Sequence, residues 1–204
     1  MKHFLLRALF VLSLYAVPQL SAQTEKNSAP VISAPALGEK LKISGLPNGG
    51  KISDSLFRGA QPRAEGFDQL KKLGITVIVD LRGEDASKIA WERKQAESRG
   101  IRFISIPVSG WSPPSNDQVA QFLSLFNNRH EKVFVHCRFG DDRTGVFVAA
   151  YRMAHDDWSP NQSIKEMYFF GFNGFWHPAM KSYINDFPTT LKTAPAFASV
   201  ASAK

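Results

Sequence analysis

Two periods of hydrophobicity run along the chain and divide it into alternating elements. Residues 75–81 form a largely β-branched run, and 101–108 and 132–135 are apolar runs of the same kind. Such runs suit strands buried on both faces of a sheet. Residues 52–58 read as a further short strand ending in the turn Gly59-Ala60-Gln61-Pro62. Between the strands the apolar positions change to helical spacing. Phe67, Leu70 and Leu73 place a helix over 64–73 that Gly74 stops. Residues 89–99 form a second, closed by Gly100. Ser115 or Asn116 caps a third through Asn127, with Val119, Phe122, Leu123 and Phe126 on one face. A fourth follows the strand at Val133 and runs to about His155. Ser159-Pro160 opens a fifth through Phe169 or Phe170, with the proline in its first turn.

Strands alternating with helices imply an α/β fold, a mostly parallel central sheet flanked by helices. Ligands of such sheets bind beyond the carboxyl ends of the strands. Cys137, Arg82 and the loop 109–114 all fall at such ends and are expected to line one cleft.

The two ends of the chain read differently. Lys2, His3 and Arg7 make a basic start, 8–17 is apolar, and Leu20-Ser21-Ala22 offers small residues for cleavage. This pattern predicts a signal peptide over 1–22 and an exported protein, periplasmic or secreted. The apolar run is well short of the ~20 residues of a spanning helix, so a membrane enters only if the segment is retained as an anchor. Residues 23–41, rich in Ser, Ala and Pro, read as a flexible linker. Residues 42–191 are the domain, and 192–204 read as a disordered tail.

Charge and composition narrow the chemistry. The formal net charge is +7, and losing Lys2 and Arg7 with the signal leaves +5. That suits anionic substrates and ordinary solubility alike. No nucleic-acid motif is present, so no nucleic-acid partner is expected. The chain has a single cysteine and so forms no intrachain disulfide. A lone thiol in an oxidising compartment points to a chemical role. The histidines are scattered without metal-ligand spacing, and neither a metal nor a cofactor is expected.

The chemistry concentrates in His136-Cys137-Arg138-Phe139-Gly140-Asp141-Asp142-Arg143-Thr144-Gly145. A strand running through a Gly-containing loop into a helix makes an anion site, because loop N–H groups and the helix N-terminus converge on it. A free thiol titrates near about 8.5, and helix N-termini and cations bring that to about 3.5–7.5. Cys137 is thus expected as a thiolate nucleophile. Arg143 offers a planar fork to two phosphoryl oxygens. The bland alternative is a buried structural cysteine beside a salt-bridged arginine.

This segment resembles the Cys-x5-Arg-Ser/Thr signature of the protein tyrosine phosphatase superfamily. Leu56-Phe57-Arg58-Gly59-Ala60-Gln61-Pro62, Leu73-Gly74-Ile75 and Val79-Asp80-Leu81-Arg82 extend the likeness to compact dual-specificity-type enzymes. That group includes exported bacterial tyrosine phosphatases and atypical fungal and plant enzymes acting on inositol pyrophosphates. The resemblance implies a Cys-x5-Arg phosphatase fold and a two-step hydrolysis through a phosphocysteine. Cys137 attacks phosphorus, while Arg143 and the amides of 138–143 stabilise the equatorial oxygens. Thr144 donates to the departing thiolate or caps the helix, or does both. His136 orients the loop, Gly140 and Gly145 supply backbone geometry, and Arg138, Phe139, Gly140 and Asp141 contact substrate.

The chain departs from the family in its general acid. Many relatives place an aspartate 25–35 residues before the cysteine, but residues 103–112 contain no Asp or Glu, and Trp111 stands near the expected place. The candidates are Asp142, inside the loop as in myotubularin-like lipid phosphatases, and Asp117, with Asp142 favoured. The bland readings are an arginine-orienting carboxylate for Asp142 and a first-turn helix residue for Asp117. Asp141 is expected to face solvent. Asp141 and Asp142 offset Arg138, which disfavours a polyphosphate. A phosphorylated protein, above all one carrying phosphotyrosine, or a small phosphomonoester fits better. Phosphoinositides, inositol phosphates and a weakly active phosphate-binding module are the alternatives. Trp111, Phe139 and the stretch 168–172 offer aromatic walls, although 168–172 reads first as core.

Overall fold

A computed structural model describes residues 36–201. The expected signal peptide over 1–22 and most of the expected linker lie outside the described residues. Strands β1 (Glu39–Lys40), β2 (Gly50–Lys51), β3 (Leu56–Ala60), β4 (Val77–Asp80), β5 (Arg102–Ser105) and β6 (Val133–Cys137) form one sheet in the order β1-β2-β3-β6-β4-β5. β3, β6, β4 and β5 are parallel, and β1 and β2 add an antiparallel margin beside β3. The helices are α1 (Gly66–Lys72), α2 (Ala86–Glu97), α3 (Asn116–Ser124), α4 (Asp142–His155), α5 (Pro160–Phe169), α6 (Pro178–Thr193) and α7 (Ala198–Ala201). The α/β expectation holds.

Strand alternation divides the core in two. Val133, Val135 and Cys137 of β6 join Val77 and Val79 of β4 in a core built with α3, α4, α5 and α6. Phe134 and Ile78 point the other way, onto Phe67 and Leu70 of α1 and Ala96 of α2. Both faces of these strands are thus covered, which explains their unbroken apolar runs. α4 is buried from Arg143 to Ala154, so the helix behind the signature loop is held on all sides.

Arg152 of α4 resolves its burial through α5. Its Nε and Nη2 donate to Glu166 Oε2 and Oε1 at 3.0 and 2.8 Å, and Nη1 to Asp156 at 2.7 Å. Removing one partner of a buried pair leaves an uncompensated charge. Glu166→Ala is expected to lower unfolding free energy by about 3–5 kcal/mol, measurable by urea denaturation. A loss near zero would show that the pair carries no stability.

Three expectations need correction, two of them about the ends. Residues 38–41 are not linker, because β1 pairs with β2 and the Gly38 N–H donates to Glu166 Oε1 at 2.7 Å. The strand read at 52–58 is a turn followed by β3, and Gly59-Ala60 close that strand instead of forming a turn. Residues 192–204, read as a disordered tail, are structured as far as Ala201: a 3-10 turn, Pro195–Phe197, leads into α7. Phe197 and Val200 are buried, and the Phe197 ring meets Phe187 at 5.4 Å. Two apolar residues that look isolated in sequence are enough to dock this segment. α6 is also missing from the sequence reading. Pro188, inside the helix, reads as a breaker and hides the helical spacing of the buried Met180, Ile184 and Phe187.

Candidate active site

The parallel strands bring Ala60, Cys137 and Asp80 to one edge of the sheet. Cys137 ends β6 and is 2% exposed. The chain then turns through 138–141 and enters α4, with Asp141 as N-cap, its carboxylate accepting from the Asp142 N–H at 2.9 Å. Gly140 has φ +75°, and a Cβ there would lie 2.4 Å from the backbone of Gly59. Only glycine lets the loop sit this close to β3. Within the loop the Gly140 N–H donates to Cys137 Sγ at 3.3 Å.

Arg143 is fixed before any ligand arrives. Its Nη1 and Nη2 donate to the two carboxylate oxygens of Glu84, each at 2.9 Å, and Nη1 also donates to the Val108 carbonyl at 3.3 Å. A guanidinium has five N–H donors. Both Nη1 donors and one Nη2 donor are used. The Nε–H and the second Nη2–H, the side edge of the fork, carry no bond among the described residues. That edge matches two phosphoryl oxygens. Hydrogen bonding from Arg143 holds the Glu84 carboxyl down at about 2. The pair therefore stays intact above the ordinary carboxylate range and is lost as pH falls toward 2.

A cavity of about 470 Å³ opens on these groups, lined by Glu84, Gly110, Trp111, Cys137, Arg138, Phe139, Asp141, Asp142, Arg143 and His177. Asp142 sits in its wall. Its Oδ1 accepts from the Asn173 N–H at 3.1 Å, and its Oδ2 lies 3.2 Å from His177 Nε2. Burial first, with the Asp141 charge, raises the Asp142 carboxyl above its ordinary value against the opposing Asn173, His177 and Arg143. Asp117 is exposed in the first turn of α3 and is not among the residues lining the cavity. Asp142, and not Asp117, thus shares the cavity wall with Cys137.

Other expectations divide. Asp141 is half-buried and caps α4 in the cavity wall instead of facing solvent. Because Asp141 holds the cap, Thr144 does not. The Thr144 hydroxyl is buried with no hydrogen-bond partner among the described residues, available to a group in the loop. Arg138 and Phe139 are exposed at the mouth, the guanidinium 5.1 Å from the ring centroid. Gly145 packs on Met167 of α5, with 3.4 Å between an added Cβ and Met167 Cγ. In the stretch 168–172, Phe170 and Phe172 are core while Tyr168 and Phe169 are surface. The aromatic residues of the cavity are Trp111, 72% exposed, and Phe139, 62% exposed.

His136 lies behind the loop in a buried charge cluster. Its Nδ1 is 3.2 Å from the Cys137 carbonyl, and its Nε2 makes a 2.6 Å ion-pair contact with Glu92 Oε1 that is off the axis of a regular hydrogen bond. Burial alone would lower its pKa, but the charge and contact of Glu92, with Asp80, win and raise it. Asp80, Glu92 and His136 could in principle hold a metal, their ligand atoms lying within 4.8 Å of one another. The Arg82 guanidinium already occupies that role. It donates to Asp80 at 2.9 and 2.8 Å and to Glu92 at 2.5 Å. This cluster supports His136 as the residue that orients the loop.

Sequence reasoning missed Glu84, Glu92 and His177. Glu84 carries the one usable signal, standing just past the strand-end residue Arg82. His177 comes from the turn before α6, 40 residues from Cys137 in a region with no motif, and its ring meets Trp111 at 5.3 Å, tilted by 33°.

Comparison with known proteins follows the same lines. A family profile described as "DSP-PTPase phosphatase fused to NAD+ Kinase" matches residues 47–182. The dual specificity protein phosphatase TpbA of Pseudomonas aeruginosa is 28% identical over 129 residues, 60% of this chain and 54% of that protein. The match thus spans about half the length of that relative. A crystal structure of a cysteine-to-serine form of P. aeruginosa TpbA in complex with pTyr superposes with a TM-score of 0.63 at 22% identity, covering 79% of this chain and 99% of that one. The core catalytic domain of the PP-IP phosphatase SIW14 from S. cerevisiae superposes with a TM-score of 0.62 at 20% identity, covering 72% and 88%. At these identities the two structures establish a shared fold.

Proposed function

The chain belongs to the family described as DSP-PTPase phosphatase fused to NAD+ kinase, through residues 47–182, and from that premise we propose that it hydrolyses phosphomonoesters, with phosphotyrosine in proteins as the favoured substrate. The observation that carries this reading is the unused edge of Arg143 in the same cavity as Cys137. A buried structural cysteine beside a salt-bridged arginine needs neither an open cavity nor spare donors.

The steps follow from the positions. The phosphate enters over the N-terminus of α4, and two of its oxygens take the Nε and Nη2 donors of Arg143. The Cys137 thiolate forms an S–P bond as the ester P–O bond breaks. Asp142 hands its proton to the departing oxygen. Water then attacks phosphorus, Asp142 takes back a proton, and the S–P bond breaks to restore the thiolate. The Thr144 hydroxyl donates to that returning charge. Glu84, by filling the far side of Arg143, keeps the guanidinium turned to the phosphate.

The cavity also argues for substrate class. Glu84, Asp141 and Asp142 bring three carboxylates to its wall against Arg138, Arg143 and His177. Carboxylates close to a polyphosphate are repulsive, so a single phosphate is favoured over an inositol pyrophosphate. Trp111 and Phe139 offer faces to a phenyl ring, and the similar TpbA structure holds pTyr. The test is turnover in EDTA of p-nitrophenyl phosphate, a phosphotyrosine peptide and an inositol polyphosphate. Peptide turnover ahead of the polyphosphate is expected. No turnover of any of them by folded protein would overturn the reading.

The basic start, apolar run and small residues of 1–22 support export of the domain to the periplasm or medium. N-terminal sequencing of the protein from those fractions is expected to begin at Gln23. An intact Met1 on cytoplasmic protein would refute it.

A further inference from the structure

Behind the signature loop, two side chains, one before β2 and one in β3, have no part in the steps above. Asn48 precedes β2 in a left-handed conformation, φ 48°. Its Nδ2 donates to the carbonyls of Phe139 at 3.2 Å, Gly140 at 3.1 Å and Phe170 at 2.9 Å. Arg58, in the middle of β3, is fully buried, and its Nη2 donates to the same Gly140 carbonyl. Its Nε and Nη1 have no hydrogen-bond partner among the described residues, and its guanidinium carbon lies 4.2 Å from the centre of the Phe170 ring. Burial pushes Arg58 down to about 10, so it stays a cation at neutral pH, and Glu166, Cys137 and Asp141 are the negative groups that oppose that push.

Peptide geometry gives these contacts a purpose. Every peptide bond among the described residues is trans, so each C=O points opposite to the N–H that follows it. Asn48 holds the Phe139 carbonyl outward, and the next N–H, that of Gly140, points back at Cys137 Sγ. Arg58 and Asn48 hold the Gly140 carbonyl outward, which turns the Asp141 N–H to the opposite side. We infer that Asn48 and Arg58 are positioning residues that clamp the outer carbonyls of the signature loop and so aim its amides at the anion. A buried cation with unpaired nitrogens beneath a loop that receives a dianion serves the same end, since it adds positive field without occupying the site.

This inference rests on the phosphatase reading. It is tested with tungstate, a phosphate mimic, measured two ways: by Trp fluorescence titration, since Trp111 lines the cavity, and as an inhibitor of p-nitrophenyl phosphate turnover. Arg58→Met, Arg58→Lys, Asn48→Gly and Asn48→Asp are compared with Ile184→Val, a core trim in α6. Asn48→Gly keeps the backbone conformation and loses the donor. Asn48→Asp faces carboxylate oxygens to the carbonyls. Loss of a charge-assisted bond predicts tungstate affinity down about tenfold to a hundredfold in Arg58→Met, partly recovered in Arg58→Lys. Asn48→Asp should be weaker than Asn48→Gly. Ile184→Val should lower the melting temperature and leave tungstate affinity unchanged, the behaviour of a purely structural change. Folded variants at both positions that bind tungstate within about twofold of wild type overturn the clamp. Should Arg58→Met fail to fold, the Asn48 pair decides alone. A wild type that binds tungstate but turns over no phosphomonoester sinks the phosphatase reading and leaves the clamp to the variants. A wild type that binds none overturns both.

Discussion

Cys137→Ser is expected to lose about 10⁴-fold or more in kcat and to keep its affinity for a phosphotyrosine peptide. The serine hydroxyl replaces the only thiol in the chain and is a poor nucleophile without a base. The groups that hold the phosphate, the Arg143 edge and the amides at the start of α4, remain. Arg143→Lys is expected to behave otherwise. Lysine cannot satisfy both Glu84 oxygens and still present a two-point edge. Both binding and turnover should fall, by about 10²–10³ in kcat. Peptide binding by fluorescence anisotropy and turnover by released phosphate separate the two variants. Turnover surviving in Cys137→Ser would remove the phosphocysteine and the mechanism with it.

The elements around Cys137 were legible because physics writes them locally. A strand buried on both faces shows as a continuous apolar run, and Cys137, Gly140, Arg143 and Thr144 lie within eight positions of one another. Ser115 and Ser159 announced helix starts, and both form capping boxes with Gln118 and Gln162. What was not legible depends on distance in sequence. Glu84 is a carboxylate in a polar loop until the fold sets it against Arg143, 59 residues away. Asn48 stands in no motif, and its reach to Phe139 spans 91 positions. Phe197 and Val200 gave no periodicity, because a short docked segment needs only two anchors. Asp141 was misplaced for a local reason: a carboxylate beside another reads as solvated, but the free N–H groups at the start of α4 need a cap, and Asp141 supplies it.

The Leu56–Pro62 motif illustrates how a segment of moderate specificity in sequence acquires meaning in the fold. A Cβ on Gly140 would strike the Gly59 backbone at 2.4 Å, and one on Gly59 would strike the Phe134 ring at 2.8 Å. The Ala60 N–H donates to the Pro47 carbonyl at 2.8 Å and the Gln61 N–H to the Arg138 carbonyl at 3.4 Å. The motif is the seat on which the signature loop rests.

Asp142→Asn should divide substrates by leaving group. p-Nitrophenol departs readily without a proton, whereas the phenol of a tyrosine needs one. The expected loss is therefore small on p-nitrophenyl phosphate and about 10²–10⁴-fold on a phosphotyrosine peptide, the usual range for a general acid. Asp117→Asn, in an exposed helix turn, should change neither. The pH dependence carries the same assignment. A general acid works only while protonated, so peptide turnover falls as pH rises through the Asp142 pKa. Burial raises that pKa, so the fall should come at higher pH than for an ordinary carboxylate, and Asp142→Asn should abolish it. His177, 3.2 Å from Asp142 Oδ2, favours the carboxylate when it is charged and opposes burial, so His177→Ala should move the fall to still higher pH. An Asp142→Asn enzyme that loses equally on both substrates would mean that this carboxylate orients Arg143 and the loop, and that the leaving group takes its proton from elsewhere.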